Sequence, residues 1–151
     1  MQKIIPCLWS DGRAEEAAKF YTDLFGGRIT DTRRNPDGTV LTMHFELFGQ
    51  TYMLLNGGPQ FKYTEAVSFS VDCADQAEVD RYWTALTADG GEESMCGWCK
   101  DRFGMSWQIV PRALIDAITG PDSAGAQRAV EAMLKMHKID VATIEKAYAG
   151  A

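Results

Sequence analysis

The sequence predicts an α+β fold in which paired βαβββ modules form a half-open, barrel-like cleft, followed by a C-terminal helical tail. Two repeats and one geometric argument carry that expectation. A strand-like run, an acidic turn, a helical stretch with an adjacent aromatic pair, and a glycine pair occur once around Phe20-Tyr21 and again around Tyr82-Trp83. A second motif has Phe-Gly, any residue, a small hydroxyl, an aromatic, any residue and two aliphatics. It runs Phe48-Gly49-Gln50-Thr51-Tyr52-Met53-Leu54-Leu55 and returns as Phe103-Gly104-Met105-Ser106-Trp107-Gln108-Ile109-Val110. One helix cannot cover both faces of a four-stranded sheet, so two such units are expected to pair and enclose a cleft.

In chain order, Ile4 to Trp9 is rich in strand formers and ends at the turn Ser10-Asp11-Gly12. Arg13 to Phe25 then places Ala14, Ala17, Ala18, Tyr21, Leu24 and Phe25 on one helical face, and Gly26-Gly27 stops it. Arg28 to Arg34 and Thr39 to Phe48 read as strands about the turn Asn35-Pro36-Asp37-Gly38, and the Phe48-Gly49 motif supplies the last strand of the module. Asn56 to Phe61, with its glycines and proline, is a linking loop. Ala66 to Val71 opens the second module as a strand. Asp75 and Glu78 then form a capping box for a helix that buries Val79, Tyr82, Trp83 and Leu86 and stops at Gly90-Gly91.

Beyond Arg112, Ala129, Met133 and Met136, then Ile139, Val141, Ile144 and Ala147, recur at helical spacing. That predicts a pair of short helices, one starting at Pro121-Asp122-Ser123, with a joint at Ile139-Asp140. The expected organisation is one domain over residues 1–112, with modules at about 1–57 and 63–112, and a helical extension over 113–151 that packs on the domain or on a dimer partner.

A chain of 151 residues with 46% hydrophobic and 24% charged residues sits near the globular average, which excludes disordered, collagenous and membrane-spanning classes. Fifteen Lys and Arg against twenty-one Asp and Glu give a net charge of −6, so nucleic acid and anionic membranes are not expected partners. The apolar stretch Ile4 to Trp9 is too short for a signal-peptide core, making a cytoplasmic location the expectation. Cys7 and Cys73 are expected to be small core residues. Cys96-Gly97-Trp98-Cys99 has redox or zinc-like spacing, but no helix opens at the pair and no second ligand pair exists, so structural thiols on a hairpin are expected. His137 is expected at the surface of a C-terminal helix.

Strand alternation proposes which residues face the cleft. In Thr39 to Phe48, Leu41, Met43, Phe45 and Leu47 should lie under a helix, turning Thr42, His44 and Glu46 to the other face. Tyr52 and Trp107 go under the helices, while Met53 and Gln108 turn inward; Ser68 and Ser70 alternate with Val67, Phe69 and Val71 in the same sense. The ligand-binding candidates are therefore His44, Glu46, Met53, Ser68 and Gln108. His44 with Glu46 fits either a general base with an orienting carboxylate or a hydrogen-bonded pair that keeps a polar face satisfied, and no catalytic residue is assigned.

Leu55-Asn56-Gly57-Gly58-Pro59, Asp80-Arg81-Tyr82-Trp83, Cys96-Gly97-Trp98, Gly104 with Ser106-Trp107-Gln108-Ile109-Val110-Pro111, and Ala132-Met133-Leu134 with Lys138-Ile139-Asp140 together resemble the PhnB-like family. That family is labelled as 3-demethylubiquinone-9 3-methyltransferase domains, within the glyoxalase, bleomycin-resistance and dioxygenase (vicinal oxygen chelate) superfamily. The resemblance spans nearly the whole chain and implies paired βαβββ modules and a homodimer.

In metal-dependent relatives four ligand positions point into the cleft. Carried over, they fall near Pro6, near Ala66 or Ser68, and on Met53 and Gln108. Only Gln108 suits a hard cation, so the metal site of those relatives is missing and no cofactor is expected. The methyltransferase label lacks the glycine-rich strand-to-helix turn that a nucleoside-type methyl donor would use. The resemblance implies less about chemistry, since the superfamily holds metal-dependent enzymes beside metal-free binding proteins; with the ligand positions missing, the expectation is a metal-free protein that binds a small-molecule ligand of unknown identity. Two alternatives stay open: a metal-dependent lyase, isomerase or dioxygenase-type enzyme with its metal relocated to His44, Glu46 and Gln108, and an interaction module acting through the tail.

Overall fold

A computed structural model describes residues 1–151, which divide into two compact units, Met1–Tyr63 and Thr64–Ala151. The first unit contains β1 (Cys7–Ser10), α1 (Ala14–Phe25), β2 (Arg28–Arg34), β3 (Val40–Leu47) and β4 (Gln50–Asn56). Its sheet has the order β1-β4-β3-β2, with β1 parallel to β4 and the other pairs antiparallel. Ala14, Ala17, Ala18, Tyr21 and Phe25 of α1 are buried, as are Met43, Phe45, Leu47 and Leu54 of the sheet. The alanines keep the helix surface low, and Phe45 stacks with Tyr21 at 5.9 Å and with Tyr52 at 5.4 Å between ring centroids.

The start of α1 is fastened from distant parts of the chain. The Asn56 side-chain oxygen accepts from the Ala14 amide at 3.1 Å, and its nitrogen donates to the Val40 carbonyl at 3.0 Å. One amide thus ties α1, β3 and β4, satisfying a helix N–H that has no partner in the helix. The Trp9 indole donates to the Gly58 carbonyl at 2.8 Å and lies so close to Gly57 that a Cβ there would sit 2.3 Å from the ring. The Leu55-to-Pro59 motif is a structural clamp.

Three expectations in this unit are corrected. Leu41 is exposed and Val40 takes the buried position, because β3 bulges: Arg33 pairs with Thr42 but Arg34 pairs with Val40. Leu24 is only half-buried, and Thr22 is buried instead, its hydroxyl donating to the Ala18 carbonyl at 2.8 Å. Cys7 is exposed.

The second unit runs β5 (Ser68–Cys73), α2 (Gln76–Thr87), β6 (Glu92–Glu93), β7 (Trp98–Lys100), β8 (Ser106–Pro111), α3 (Arg112–Ile118), α4 (Ser123–Met133) and α5 (Val141–Ala149). The sheet order is β5-β8-β7-β6, with β5 parallel to β8. β5 begins at Ser68 rather than Ala66, and Val67 is exposed. At α2, Asp75 accepts from the Glu78 amide at 2.9 Å, and the Glu78 carboxylate accepts from the Ala74 amide at 2.6 Å. The cap is therefore reciprocal, displaced one residue from the usual box. Val79, Tyr82, Trp83 and Leu86 are buried, matching the predicted face.

The repeated Phe-Gly motif closes its two hairpins differently. Phe48 and Gly49 both have positive φ, 51° and 79°, which suits a two-residue turn between twisted strands. In the second copy the buried carboxylate of Asp101 organises the loop, accepting from the Phe103 amide (2.8 Å), the Met105 amide (3.1 Å) and the Trp107 indole (2.9 Å).

The tail contains three helices, one more than expected, because the seven-residue α3 follows β8 without a linker. Its core is Leu114, Ala117, Ala129, Ile139 and Ile144. The α4–α5 joint docks on the sheet hairpin: the Cys96 and Gly97 amides donate to the Met136 and His137 carbonyls, both at 2.8 Å. Gln76 of α2 donates to the Ile139 carbonyl at 3.0 Å and accepts from the Val141 amide at 2.7 Å, while Lys138 pairs with Asp80 at 2.8 Å. Gly97 has φ +83°, and a Cβ there would press on Ile139 at 3.1 Å. His137 is exposed within this joint rather than on a helix. No helix is long and apolar enough to cross a membrane.

Replacing fully buried Ile139 with alanine should lower unfolding free energy by about 2–5 kcal/mol in urea denaturation. Gln76→Ala, which strands the Val141 amide, should cost about 1–3 kcal/mol and speed hydrogen exchange at that amide.

Candidate functional site

In the first unit the face opposite α1 is where the candidate residues gather. Strand register places Cys7, Met53, His44 and Asp31 in one row across all four strands. Arg28, Glu46 and Thr51 form the neighbouring row. His44 and Met53 are thus cross-strand partners, with Glu46 two residues along the same face.

The charges on this face are held from β2. Arg28 Nε donates to Glu46 at 2.9 Å, and His44 Nδ1 lies 3.8 Å from Asp31 Oδ2. Glu46 is therefore engaged by a guanidinium, and the carboxylate beside the imidazole is Asp31. Sequence alternation misses Asp31 because a second irregularity, between Ile29 and Asp31, shifts the register of β2 by one residue. A largely open hollow of about 440 Å³ elsewhere in this unit is lined by Asp11, Glu15, Asn35, Thr39 and Asn56, among others, and by none of the candidate residues.

In the second unit, Gln108 and Ser68 are brought together. Gln108 Nε2 donates to Ser68 Oγ at 3.0 Å across the β5–β8 pair. Gln108 also stands opposite Ser70 on one side and Trp98 on the other, so an aromatic face adjoins the amide. Phe69 and Trp107, whose ring centroids are 5.2 Å apart, lie on the alternate face. His44, Glu46 and Met53 belong to one unit, and Ser68 and Gln108 to the other.

The donor chemistry does not fit the metal that some superfamily members use. No three or more His, Cys, Asp or Glu side chains group as a metal site requires. Met53 carries a soft thioether, and Gln108 Nε2 donates to Ser68, which leaves Gln108 Oε1 as the carried-over atom suited to a hard cation. Within neither unit do the carried-over positions make a hard-cation site.

The cysteine pair is not built for redox exchange either. Burial, reinforced by Asp101 and Glu93, pushes the Cys99 thiol up to about 12, so it keeps its proton at neutral pH. Cys73 is likewise raised to about 12, mainly by burial and then by Glu78 and Asp72.

Each unit is a βαβββ module, and the class the fold defines is a tandem βαβββ protein with one helix on one face of each four-stranded sheet. The family model described as 3-demethylubiquinone-9 3-methyltransferase matches residues 2–110, and the chain belongs to that family. The PhnB protein from Bacillus cereus, described with the same methyltransferase name, is 32% identical; the alignment covers 73% of this chain and 99% of that one, with a TM-score of 0.68. The fold is shared by the fosfomycin resistance protein FosX from Listeria monocytogenes (16% identity, 71% and 91% coverage, TM-score 0.52). It is also shared by a protein from Bacillus cereus described as a possible glyoxalase (17% identity, 70% and 96% coverage, TM-score 0.51). No protein of curated function matches the chain.

Exposed Cys7 should react with a disulfide reagent in the folded protein, more slowly than a free thiol because partial burial raises its pKa, whereas Cys73 and Cys99 should react only on unfolding, as residue-resolved mass spectrometry would show. Both buried thiols have folded values near 12 against an ordinary 9.0. Their contribution to stability is therefore complete below pH 9.0 and lost as pH rises toward about 12, so urea midpoints should fall across that window.

Proposed function

We propose that this protein binds a small organic ligand without a resident metal, using the sheet faces that the helices leave uncovered. The observation that supports it is the composition of those faces. Half-buried Met53, Leu55 and Trp98 supply apolar surface, and His44, Glu46, Ser68 and Gln108 supply donors and acceptors already oriented by neighbours. Apolar burial would give affinity, and the polar groups would fix orientation.

The reading includes a homodimer in the cytoplasm, with a ligand-binding domain over residues 1–112 and a helical extension over 113–151 that contributes to assembly. The family's methyltransferase name does not carry over to a reaction here. The four-stranded mixed sheets have no glycine-rich strand-to-helix turn of the kind that cradles a nucleoside-type methyl donor.

Thermal-shift screening of small organic acids, amines and aromatics should find stabilising ligands. His44→Ala and Gln108→Ala should each weaken a hit about tenfold by calorimetry without loss of fold. Metal analysis of untagged protein should give substoichiometric divalent ion. About one tightly held ion per chain, or unchanged affinity in both variants, would overturn the reading.

A further inference from the structure

In the second unit the groups around Gln108 are only partly committed. Gln108 Nε2 donates to Ser68 Oγ at 3.0 Å, and neither side chain makes another hydrogen bond. An amide carries a carbonyl acceptor beside its N–H donors, and a hydroxyl both donates and accepts. The pair therefore leaves Gln108 Oε1 as an acceptor and the Ser68 hydroxyl as a donor. If the amide turns by half a revolution and the hydroxyl reverses, Gln108 Nε2 becomes the outward donor and Ser68 Oγ the acceptor. In both arrangements one donor and one acceptor are presented side by side on half-buried residues.

Trp98 adjoins them. It stands opposite Gln108 across the β7–β8 pair, is half-buried, and its indole has neither a ring nor a hydrogen-bond partner. Directly opposed side chains lie about 5 Å apart at Cβ, so a flat ring resting on the indole has its edge within reach of the amide.

Charge narrows the ligand further. Ser70, Gln108 and Trp98 form one neutral row of the face. In the flanking rows Lys100 is ion-paired with Glu65 and has Glu92 opposite, and Asp72 is paired with Arg112 at 2.9 Å. No uncompensated cation is left for a carboxylate or a phosphate, so the row offers hydrogen bonds and apolar surface alone.

We infer that this face recognises the edge of a neutral cyclic amide, a lactam, cyclic imide or ureide, with Ser68 and Gln108 meeting the edge and Trp98 carrying the ring. A small ring holds its amide cis, so the carbonyl and the N–H leave along one edge and meet a donor and an acceptor together. An open-chain secondary amide is trans and turns the two groups to opposite sides. The inference rests on the proposal that these uncovered faces take an organic ligand, and it names what that ligand contains.

The test is titration of the isotope-labelled full chain with 2-pyridone, N-methyl-2-pyridone and pyridine, at a pH where pyridine is neutral. Binding is followed by the NMR resonances of the Trp98 indole and the Gln108 side-chain amide. Saturable shifts at both are expected with 2-pyridone. N-methyl-2-pyridone, which lacks the N–H, and pyridine, which lacks the N–H and the carbonyl, should each bind at least about fivefold more weakly. Gln108→Leu should erase that preference, bringing 2-pyridone and its N-methyl form within about twofold of one another. The wild-type preference decides the inference by itself if Gln108→Leu does not fold.

Equal binding of the three probes at these resonances would overturn the inference and leave an organic-ligand face standing. So would 2-pyridone shifts confined to the neighbourhood of His44 and Met53, or a preference that survives in Gln108→Leu. Failure of 2-pyridone to saturate up to about 0.1 M would also overturn it, and the wider thermal-shift screen would then decide the ligand-face proposal separately.

Discussion

A single helix covers one face of a four-stranded sheet and no more, and both units of this protein are organised around that constraint. In the first, α1 seals Met43, Phe45 and Leu54 beneath its alanine face. In the second, Val79, Tyr82 and Leu86 of α2 and Trp107 and Ile109 of β8 are buried. Strand alternation then forces every second side chain onto the face the helix does not reach. Those positions carry serine, threonine, glutamine, histidine and glutamate among methionine and tryptophan, a mixture suited to contact with something other than the chain's own helix.

The residues that carry the family resemblance turn out to be fasteners between elements of the fold. Asn56 joins α1, β3 and β4, and Gly57 makes room for Trp9. Asp80 meets Lys138, and Gly97 meets Ile139. Asp140 caps α5 by accepting from the Thr143 amide at 3.0 Å. These contacts fix architecture. They say little about ligand, because a fold fixes a scaffold and not the chemistry placed on it.

Much of the fold was legible because periodicity and capping act locally. The predicted burial of Val79, Tyr82, Trp83 and Leu86, the turn at Asn35 to Gly38, and the joint at Ile139-Asp140 all follow from spacing within a few residues. What escaped depends on pairing between strands. The bulge that exposes Leu41 and the shift that brings Asp31 beside His44 are properties of the β2–β3 ladder, and a period of two cannot anticipate an extra residue. The second Phe-Gly hairpin was expected, but its fastening was not legible: the buried carboxylate of Asp101 replaces the backbone geometry that its repeat partner uses. The candidate residues were legible as a face, but their partners Arg28, Asp31 and Trp98 were not.

Those partners determine how much a ligand can gain from each group. Gln108 already donates to Ser68, and Glu46 already accepts from Arg28. A ligand can engage the remaining atoms, Gln108 Oε1 and Glu46 Oε1, without breaking these bonds, which hold both groups in place for it. Such groups select orientation, while affinity comes from covering Met53, Leu55 or Trp98.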